Sequence, residues 1–139
     1  EYWTDSGGFE DGPKYAEIML SWAESEEKAV DVAYERFRFG TAGWKVNAEL
    51  PNVAHFEAHS GVVHKEDIMD SVVCGPDPEL HADAIERYID AGYDHIVIIA
   101  AGPRQKEFLR FWEKELSPLL AERMRNAKEP SGPGISLRT

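Results

Sequence analysis

The chain has 139 residues, a formal net charge of −11 and one cysteine. Its length suffices for one domain with a buried core. The acidic balance excludes a general nucleic-acid binder, and no apolar run is long enough to span a membrane. No secretory signal pattern is present and Cys74 has no cysteine partner, so we expect a cytoplasmic protein without nucleic-acid or membrane partners. Because the chain begins at Glu1 instead of Met, we expect a processed protein or a piece of a longer one.

The first predicted elements are a loop, a strand and a helix. Residues 1–13 carry glycines and a proline without an apolar period, which is typical of a loop. Residues 14–23, KYAEIMLSWA, predict a strand. Ser25 is placed to cap a helix with an acidic first turn, and Gly40 is placed to end it. The apolar stripe of this helix consists of Ala29, Val30, Ala33 and Phe37.

A long connection follows this helix. Residues 41–66 exceed the roughly two to six residues that usually join helices to strands in α/β units. Within and just after the connection, short helices are expected near residues 55–59 and 65–70. Because connections of this length often carry function, we interpret the segment as a lid over the strand ends.

Residues 72–101 predict a strand, a helix and a second strand. Asp77 is placed to cap the helix, Pro78 suits its first position, and Gly92 suits the left-handed residue that ends it. Residues at helical spacing predict one buried helix face, made of Leu80, Ala84, Ile85, Tyr88 and Ile89. The apolar run 96–101 is typical of a strand covered on both faces. The unit predicts parallel strands joined by a right-handed crossover.

A Gly-Pro turn leads into a last helix, which Ser117 and Pro118 are expected either to kink or to recap. We divide the chain into a domain at residues 1–125 and a disordered tail at 126–139. Strand and helix alternate three times, which predicts an α/β fold with parallel strands and outer helices. Three such strands leave open edges and uncovered apolar side chains, so we expect part of a larger structure that self-associates or is marginally stable alone.

The histidines favour no metal site. His55 and His59 are four residues apart, a spacing that can bind zinc, and His64 is near, but the H-E-x-x-H motif is absent. His81 is predicted to lie on the surface of its helix. His95 opens a strand and is predicted to have a core or edge role.

Four stretches make the chain resemble a known family: KYAEIMLSWAES, AELPNVAHFE, VVCGPDPELHADAIERYIDAGYDHIVI and GPRQKEFLRFWEKELSPLL. In this order they resemble the C-terminal portion of luciferase-like (β/α)8-barrel oxidoreductases. The nearest group depends on the deazaflavin coenzyme F420 and is similar to F420-dependent glucose-6-phosphate dehydrogenase. The resemblance covers about residues 13–121 and implies the sixth, seventh and eighth strands of a TIM barrel.

The resemblance implies a fragment of an F420-dependent oxidoreductase that transfers a hydride between the coenzyme and an unknown small organic substrate. The main coenzyme-binding residues and the catalytic acid/base groups are expected upstream of this chain, which would then be incomplete and inactive by itself. An FMN-dependent luciferase-like monooxygenase fragment is one alternative. A non-catalytic α/β binding or assembly module is another. Expected partners are a small-molecule substrate and either further copies of the chain or the rest of the barrel.

The carboxyl ends of the strands carry the candidate substrate-binding residues, because barrel sites lie at that end. We assign Trp22, Cys74, Gly75 and Gly102 to this role. Trp22 could equally be a packing residue. Cys74 has no basic neighbour in sequence and is interpreted as a small buried residue, not a nucleophile.

One departure from the glucose-6-phosphate enzymes bears on the substrate. The resemblance implies a basic residue just before the seventh strand, where it would hold the substrate phosphate. This chain has Asp70 in the stretch 68–71 and no cation there. Since a carboxylate repels a phosphate dianion, we do not expect a sugar phosphate to be the substrate.

If the segment 41–66 is a lid, its amide hydrogens exchange faster than those of residues 77–101, because a lid opens locally at low free-energy cost. Hydrogen exchange followed by mass spectrometry compares the two segments directly. Equal protection in both would contradict the interpretation.

Overall fold

A computed structural model describes residues 5, 7–9 and 11–128. Its strands are β1 (Tyr15–Ser21), β2 (Val73–Cys74) and β3 (His95–Ala100). Its helices are α1 (Glu26–Phe37), α2 (Gly43–Glu49), α3 (Val53–Ser60), α4 (Lys65–Met69), α5 (Pro78–Asp90), α6 (Gln105–Phe111) and α7 (Ser117–Lys128). A 3-10 turn (Arg38–Gly40) follows α1, and a π-helical turn (Trp112–Leu116) joins α6 to α7.

The three strands form one parallel sheet in the order β2-β1-β3. The predicted α/β class, with parallel strands and outer helices, is confirmed. Sixth, seventh and eighth barrel strands would place β2 between the other two, whereas here β1 is central and β2 lies at an edge. Only Leu20 and Ser21 pair with β2, while six residues of β1 pair with β3.

Helices cover both faces of β1. One core contains Ile18 and Leu20 together with residues of α5, α6 and α7. The other contains Ala23 and residues of α1 and α4, with Met19 packed against it. Because alternate residues of a strand point to opposite faces, the two cores lie on opposite sides of the sheet. The expectation that the apolar residues of this strand find no cover within the chain is therefore wrong for β1.

The edge strand β3 is less protected. Its residues are exposed or half-buried, and Val97 is 49% exposed. Among the described residues β3 has a strand neighbour on one side only. The predicted open strand edge is thus present at β3, and self-association through it remains a prediction.

The helix ends follow the predicted chemistry. The Ser25 hydroxyl accepts a hydrogen bond from the Lys28 N–H at 3.3 Å and caps α1. The Asp77 carboxylate accepts one from the Glu79 N–H at 3.0 Å, and Pro78 occupies the first position of α5. Gly92, with φ of 84°, follows the end of α5. Both helices therefore begin where their capping residues predict.

The connection 41–66 is mostly helical. The short helices predicted near residues 55–59 and 65–70 are confirmed as α3 and α4, while α2 was not predicted. Ile68 of α4 is fully buried in the core beside α1, so the second end of the connection is anchored. The role of the segment as a lid remains a prediction.

The last helical region contains a π-helical turn just before Pro118. The Ser117 N–H bonds to the Trp112 carbonyl, five residues earlier, which makes the π-helical turn. Such a turn accommodates a proline that cannot donate its own hydrogen bond, so the predicted irregularity is present. Helix α7 continues to Lys128, three residues into the predicted disordered tail. Residues 1–4, 6 and 10 of the predicted loop and 129–139 of the tail lie outside the described residues.

The predicted buried face of α5 is confirmed for four of its five residues, since Ile85 is buried and Ala84, Tyr88 and Ile89 pack against the same core. Leu80 is 47% exposed, whereas His81 is fully buried beside Ala82 and Ile85. The His81 Nε2 lies 2.9 Å from the Gly75 carbonyl oxygen and must donate to it, which leaves Nδ1 buried without a partner among the described residues. The surface position predicted for His81 is wrong. Leu80 and His81 are adjacent on the helix and point about 100° apart, and the spacing of the apolar residues does not decide which of the two is buried.

We expect Leu20→Ala to lower the free energy of unfolding by about 2–5 kcal/mol, because it opens a cavity in a fully buried position. Val97→Ala on the exposed side of β3 is the matched control and should cost less than about 1 kcal/mol. Urea denaturation followed by circular dichroism measures both. A similar loss for the two variants would show that β1 is not the buried centre of the sheet.

Burial lowers the pKa of His81, and the Gly75 hydrogen bond and the Asp77 charge offset this only in part. Below the ordinary histidine pKa, His81 is protonated in the unfolded chain but stays neutral in the folded chain. The free energy of unfolding therefore falls as the pH drops through about 6.5. We expect His81→Gln, which keeps an amide donor for Gly75, to reduce this loss between pH 7 and pH 5. Urea denaturation at each pH tests it, and identical pH profiles would contradict it.

Candidate functional site

A small crevice lies at the carboxyl ends of β1 and β3. Its volume is about 210 Å³. The loops that follow these two strands form its walls, and α1 forms one side. We call it the β1–β3 crevice, and its lining consists of Trp22, Ala23, Glu24, Lys28, Asp31, Val32, Ala101, Gly102, Pro103 and Arg104.

The strand order explains this position. The chain leaves the carboxyl end of β1 for α1 on one face of the sheet, and it leaves the carboxyl end of β3 for α6 on the other face. The connections therefore diverge between β1 and β3. In open parallel sheets, ligands bind at such a switch point, beyond the carboxyl ends of the strands.

Two of the four predicted site residues meet in the crevice. Trp22 lines it and also stacks on Phe111 at a centroid distance of 5.7 Å, so it combines the wall and packing roles. Gly102 has φ of 83°, and a Cβ atom there would lie 2.4 Å from Val32 Cγ1. Gln105 holds the loop by donating to the Gly102 carbonyl at 2.8 Å. Only glycine allows this close approach of β3's loop to α1.

Charged side chains that sequence reasoning missed line the crevice. Arg104 donates to Glu24 and thereby links the loop after β3 to the loop after β1. Lys28 lies 3.8 Å from the same carboxylate. The Glu24 carboxylate accepts a hydrogen bond from the backbone N–H of the same residue, and this bond, followed by the bond from Arg104, lowers the pKa of the Glu24 carboxyl, so it stays ionised at neutral pH. Glu24 and Arg104 each follow the carboxyl end of a predicted strand, and this position was the sequence signal that could have identified them.

Cys74 and Gly75 lie outside the crevice. Burial, and secondarily the charge of Glu26, raises the pKa of Cys74 to about 11, so the thiol is protonated at neutral pH. This agrees with its interpretation as a small buried residue. The Gly75 N–H donates to the Ser21 carbonyl at 3.0 Å, and its own carbonyl accepts from His81. A substrate contact of either residue stays a prediction.

A larger cavity of about 610 Å³ lies beside the short strand β2. Ile18, Asp70, Cys74 and Arg87 are among the residues that line it. Its lining includes Cys74, the last residue of β2, but no residue of the loops 22–25 and 101–104 that follow β1 and β3. We therefore take the smaller crevice as the candidate site on the strength of its position.

His55 and His64 of the connection make local hydrogen bonds, through the ring and the backbone respectively, whereas the Nε2 of His59 is buried without a partner among the described residues. His55 Nδ1 lies 2.9 Å from Asn52 Oδ1, and the His64 N–H donates to Asp67 at 2.7 Å in the capping box of α4. Within the described ranges no three His, Cys, Asp or Glu side chains are grouped to hold a metal ion. His95 lies exposed at the start of β3, where it stacks on Tyr15.

None of the described helices has the length and apolarity to cross a membrane.

Comparison with known proteins identifies relatives of the chain. No family model matches it. It is 34% identical over 117 residues to an F420-dependent glucose-6-phosphate dehydrogenase of Rhodococcus hoagii, which covers 81% of this chain and 33% of that protein. The enzyme of the same name from Rhodococcus erythropolis is 28% identical over 114 residues, covering 77% and 32%. The chain thus spans about a third of the length of the curated relatives it matches.

A solved structure shares the fold. An F420-dependent secondary alcohol dehydrogenase, in complex with an F420-acetone adduct, aligns with a TM-score of 0.61 and 22% identity. The alignment covers 84% of this chain and 35% of that one. At this identity the likeness shows the fold alone, and it matches the chain to part of a TIM-barrel enzyme. Together these findings confirm that the chain resembles the C-terminal portion of the luciferase-like F420-dependent oxidoreductases.

Proposed function

We propose that the chain is a portion of an F420-dependent oxidoreductase that transfers a hydride between the coenzyme and a small organic substrate. The similarity to enzymes with this coenzyme in their names, over about four fifths of the chain, carries the proposal. These relatives give no support to the FMN-dependent monooxygenase alternative. The single cysteine fits the cytoplasmic setting that we propose for it.

The β1–β3 crevice does not fit the whole coenzyme. The crevice, at about 210 Å³, is smaller than the roughly 300–1,000 Å³ of typical small-molecule sites. Lys28 and Arg104, the cations that line it, already face Glu24, so neither is free for a coenzyme phosphate. We therefore assign the crevice to the substrate and the coenzyme to segments outside this chain.

In this proposal the residues of the crevice position and shield a substrate. Trp22 and Val32 offer apolar surface, and the Glu24–Arg104 pair ties the two loops together beside it. Such fixed walls hold a reactant in one orientation and limit the access of water. The hydride chemistry itself is supplied by F420 when it is bound.

The open edge of β3 supports a partner that adds strands. The rest of a barrel would pair with this edge, and so could a further copy of the chain. Since the matched relatives are about three times as long as the matched segment, we propose the rest of the barrel as the partner.

One observation favours the non-catalytic α/β module as a second candidate. Both faces of β1 are covered by helices of this chain, so the described residues build two cores without further strands. A segment of a barrel would instead leave one face of each strand for the barrel interior. The same fold could therefore bind a ligand or partner without catalysing a reaction.

A chimera separates the two candidates. In it, this chain replaces the matching 117-residue segment of the Rhodococcus hoagii enzyme. We expect the chimera to bind F420, since the missing coenzyme site is supplied, whereas the 139-residue chain alone should not bind F420 or FMN at micromolar concentration. Titrations of the chimera and of the isolated chain, followed by the fluorescence of F420 or of FMN, measure binding of each coenzyme.

The parent enzyme carrying the same junction residues is the control. A chimera that melts cooperatively but fails to bind F420 would contradict the oxidoreductase proposal and favour the module. Micromolar binding by the isolated chain would instead place the coenzyme site within it, beside Gly75 or Gly102.

A further inference from the structure

We infer that His81 is a positioning residue of the candidate site. Its imidazole bonds to the loop after β2 and packs against Phe111, which in turn stacks on Trp22, the aromatic wall of the β1–β3 crevice. His81 thereby holds Trp22 in one orientation and ties it to Gly75, which itself lies outside the crevice. The inference rests on the proposed function only in treating Trp22 as a wall of the substrate site.

The chemistry of His81 sets it apart from its neighbours in the core. It is fully buried on α5, and its Nδ1 has no partner among the described residues. An apolar side chain of similar size would avoid the free-energy cost of burying such an atom. Packing alone therefore does not explain an imidazole here, and the contacts of its other ring atoms indicate what it does.

The bond to Gly75 fixes the plane of the imidazole. Nε2 lies 2.9 Å from the Gly75 carbonyl oxygen and donates to it. The same glycine is anchored to β1, because its N–H donates to the Ser21 carbonyl at 3.0 Å. Rotation of the ring would break a buried hydrogen bond, and an apolar ring would lack this resistance. His81 is thus locked in orientation as well as in place.

Phe111 carries this orientation to Trp22. Its ring meets the imidazole edge to face, at a centroid distance of 5.3 Å and an angle of 66°, and it stacks on Trp22 at 5.7 Å and 27°. Phe111 is 2% exposed and packs against Phe108 of the same helix, so its ring cannot turn outward into solvent. In a close-packed core, rings in contact shift together.

Trp22 depends on this stacking for its orientation. No described residue forms a hydrogen bond with its indole, and the side chain is only half-buried at the crevice. Ring stacking, not hydrogen bonding, therefore sets its orientation. Because the crevice measures only about 210 Å³, a displaced indole would change its width and the fit of any substrate.

Two substitutions of His81 separate its two contacts. His81→Gln keeps an N–H donor for the Gly75 carbonyl but removes the ring, whereas His81→Phe keeps a ring against Phe111 but removes the donor. We expect His81→Gln to shift the indole ¹H–¹⁵N resonance of Trp22 and to leave the Gly75 carbonyl ¹³C resonance near its parent value. His81→Phe should shift the carbonyl resonance and leave the indole resonance in place.

NMR of the ¹³C,¹⁵N-labelled 139-residue chain, without coenzyme, measures both resonances. A ¹³C-detected carbonyl–nitrogen spectrum resolves the pair formed by Gly75 and Pro76, and the Trp22→Phe variant assigns the indole. His95→Gln and His95→Phe are the matched controls, because they make the same exchanges at an exposed histidine at the opposite end of β3 from the crevice. They should leave both resonances in place.

A double-substitution cycle tests whether His81 acts through Phe111. Phe111→Leu keeps the bond between His81 and Gly75 but removes the ring that lies between His81 and Trp22. We expect His81→Gln to shift the Trp22 resonance in the parent chain and to have no further effect in a Phe111→Leu background. This cycle still decides the question where the larger ring of His81→Phe prevents folding.

A Trp22 resonance that His81→Gln leaves unchanged would overturn the inference. So would an equal shift of both resonances in His81→Gln and His81→Phe, which is the mark of a general loosening of the core. A further shift by His81→Gln in the Phe111→Leu background would show another route to Trp22 and refute the role given to Phe111. Because no step uses F420, these outcomes are independent of coenzyme binding by the chimera.

Discussion

The double burial of β1 is the constraint on which the rest of the structure depends. Its residues alternate between two cores, with Ile18 and Leu20 on one side and Met19 and Ser21 on the other. Ser21 is fully buried, and its hydroxyl donates to the Ala29 carbonyl at 2.7 Å, which fixes α1 against the strand. A buried hydroxyl needs such a partner, so this contact also sets the distance between helix and sheet.

The position of the crevice follows from the same strand. Because β1 is central, its carboxyl end lies beside that of β3, and the loops after them face each other across α1. With β2 in the centre, as in consecutive barrel strands, Trp22 and Gly102 would stand on strands that are not neighbours. The contact of Arg104 with Glu24 exists only in the observed order. The candidate site is thus a product of topology more than of any local motif.

Local structure was predictable from the sequence, while the arrangement of elements was not. Ser25 and Asp77 cap helices through bonds to residues two or three positions away, so a short window contains the whole cause. The prediction for His81 was wrong because helical spacing allows either Leu80 or His81 at the border of the buried face. Packing against the neighbouring elements decides that His81 is the buried one. The pair Glu24 and Arg104 is separated by 80 residues, and no spacing rule reaches that far. The resemblance to a barrel family likewise predicted the parallel strands but not their order.

The open edge of β3 affects both the partner that the sheet can accept and the crevice beside it. Its edge backbone groups have no strand partner among the described residues on the outer side, and Val97 leaves half of its surface exposed. Such an edge favours another strand, while the net charge of −11 opposes a second copy of the same chain. This charge argument supports the proposal that a different polypeptide segment, instead of a second copy, pairs with β3. Since β3 also carries one wall of the crevice, any strand that pairs with it would stiffen that wall and extend the row of strand ends beside the site.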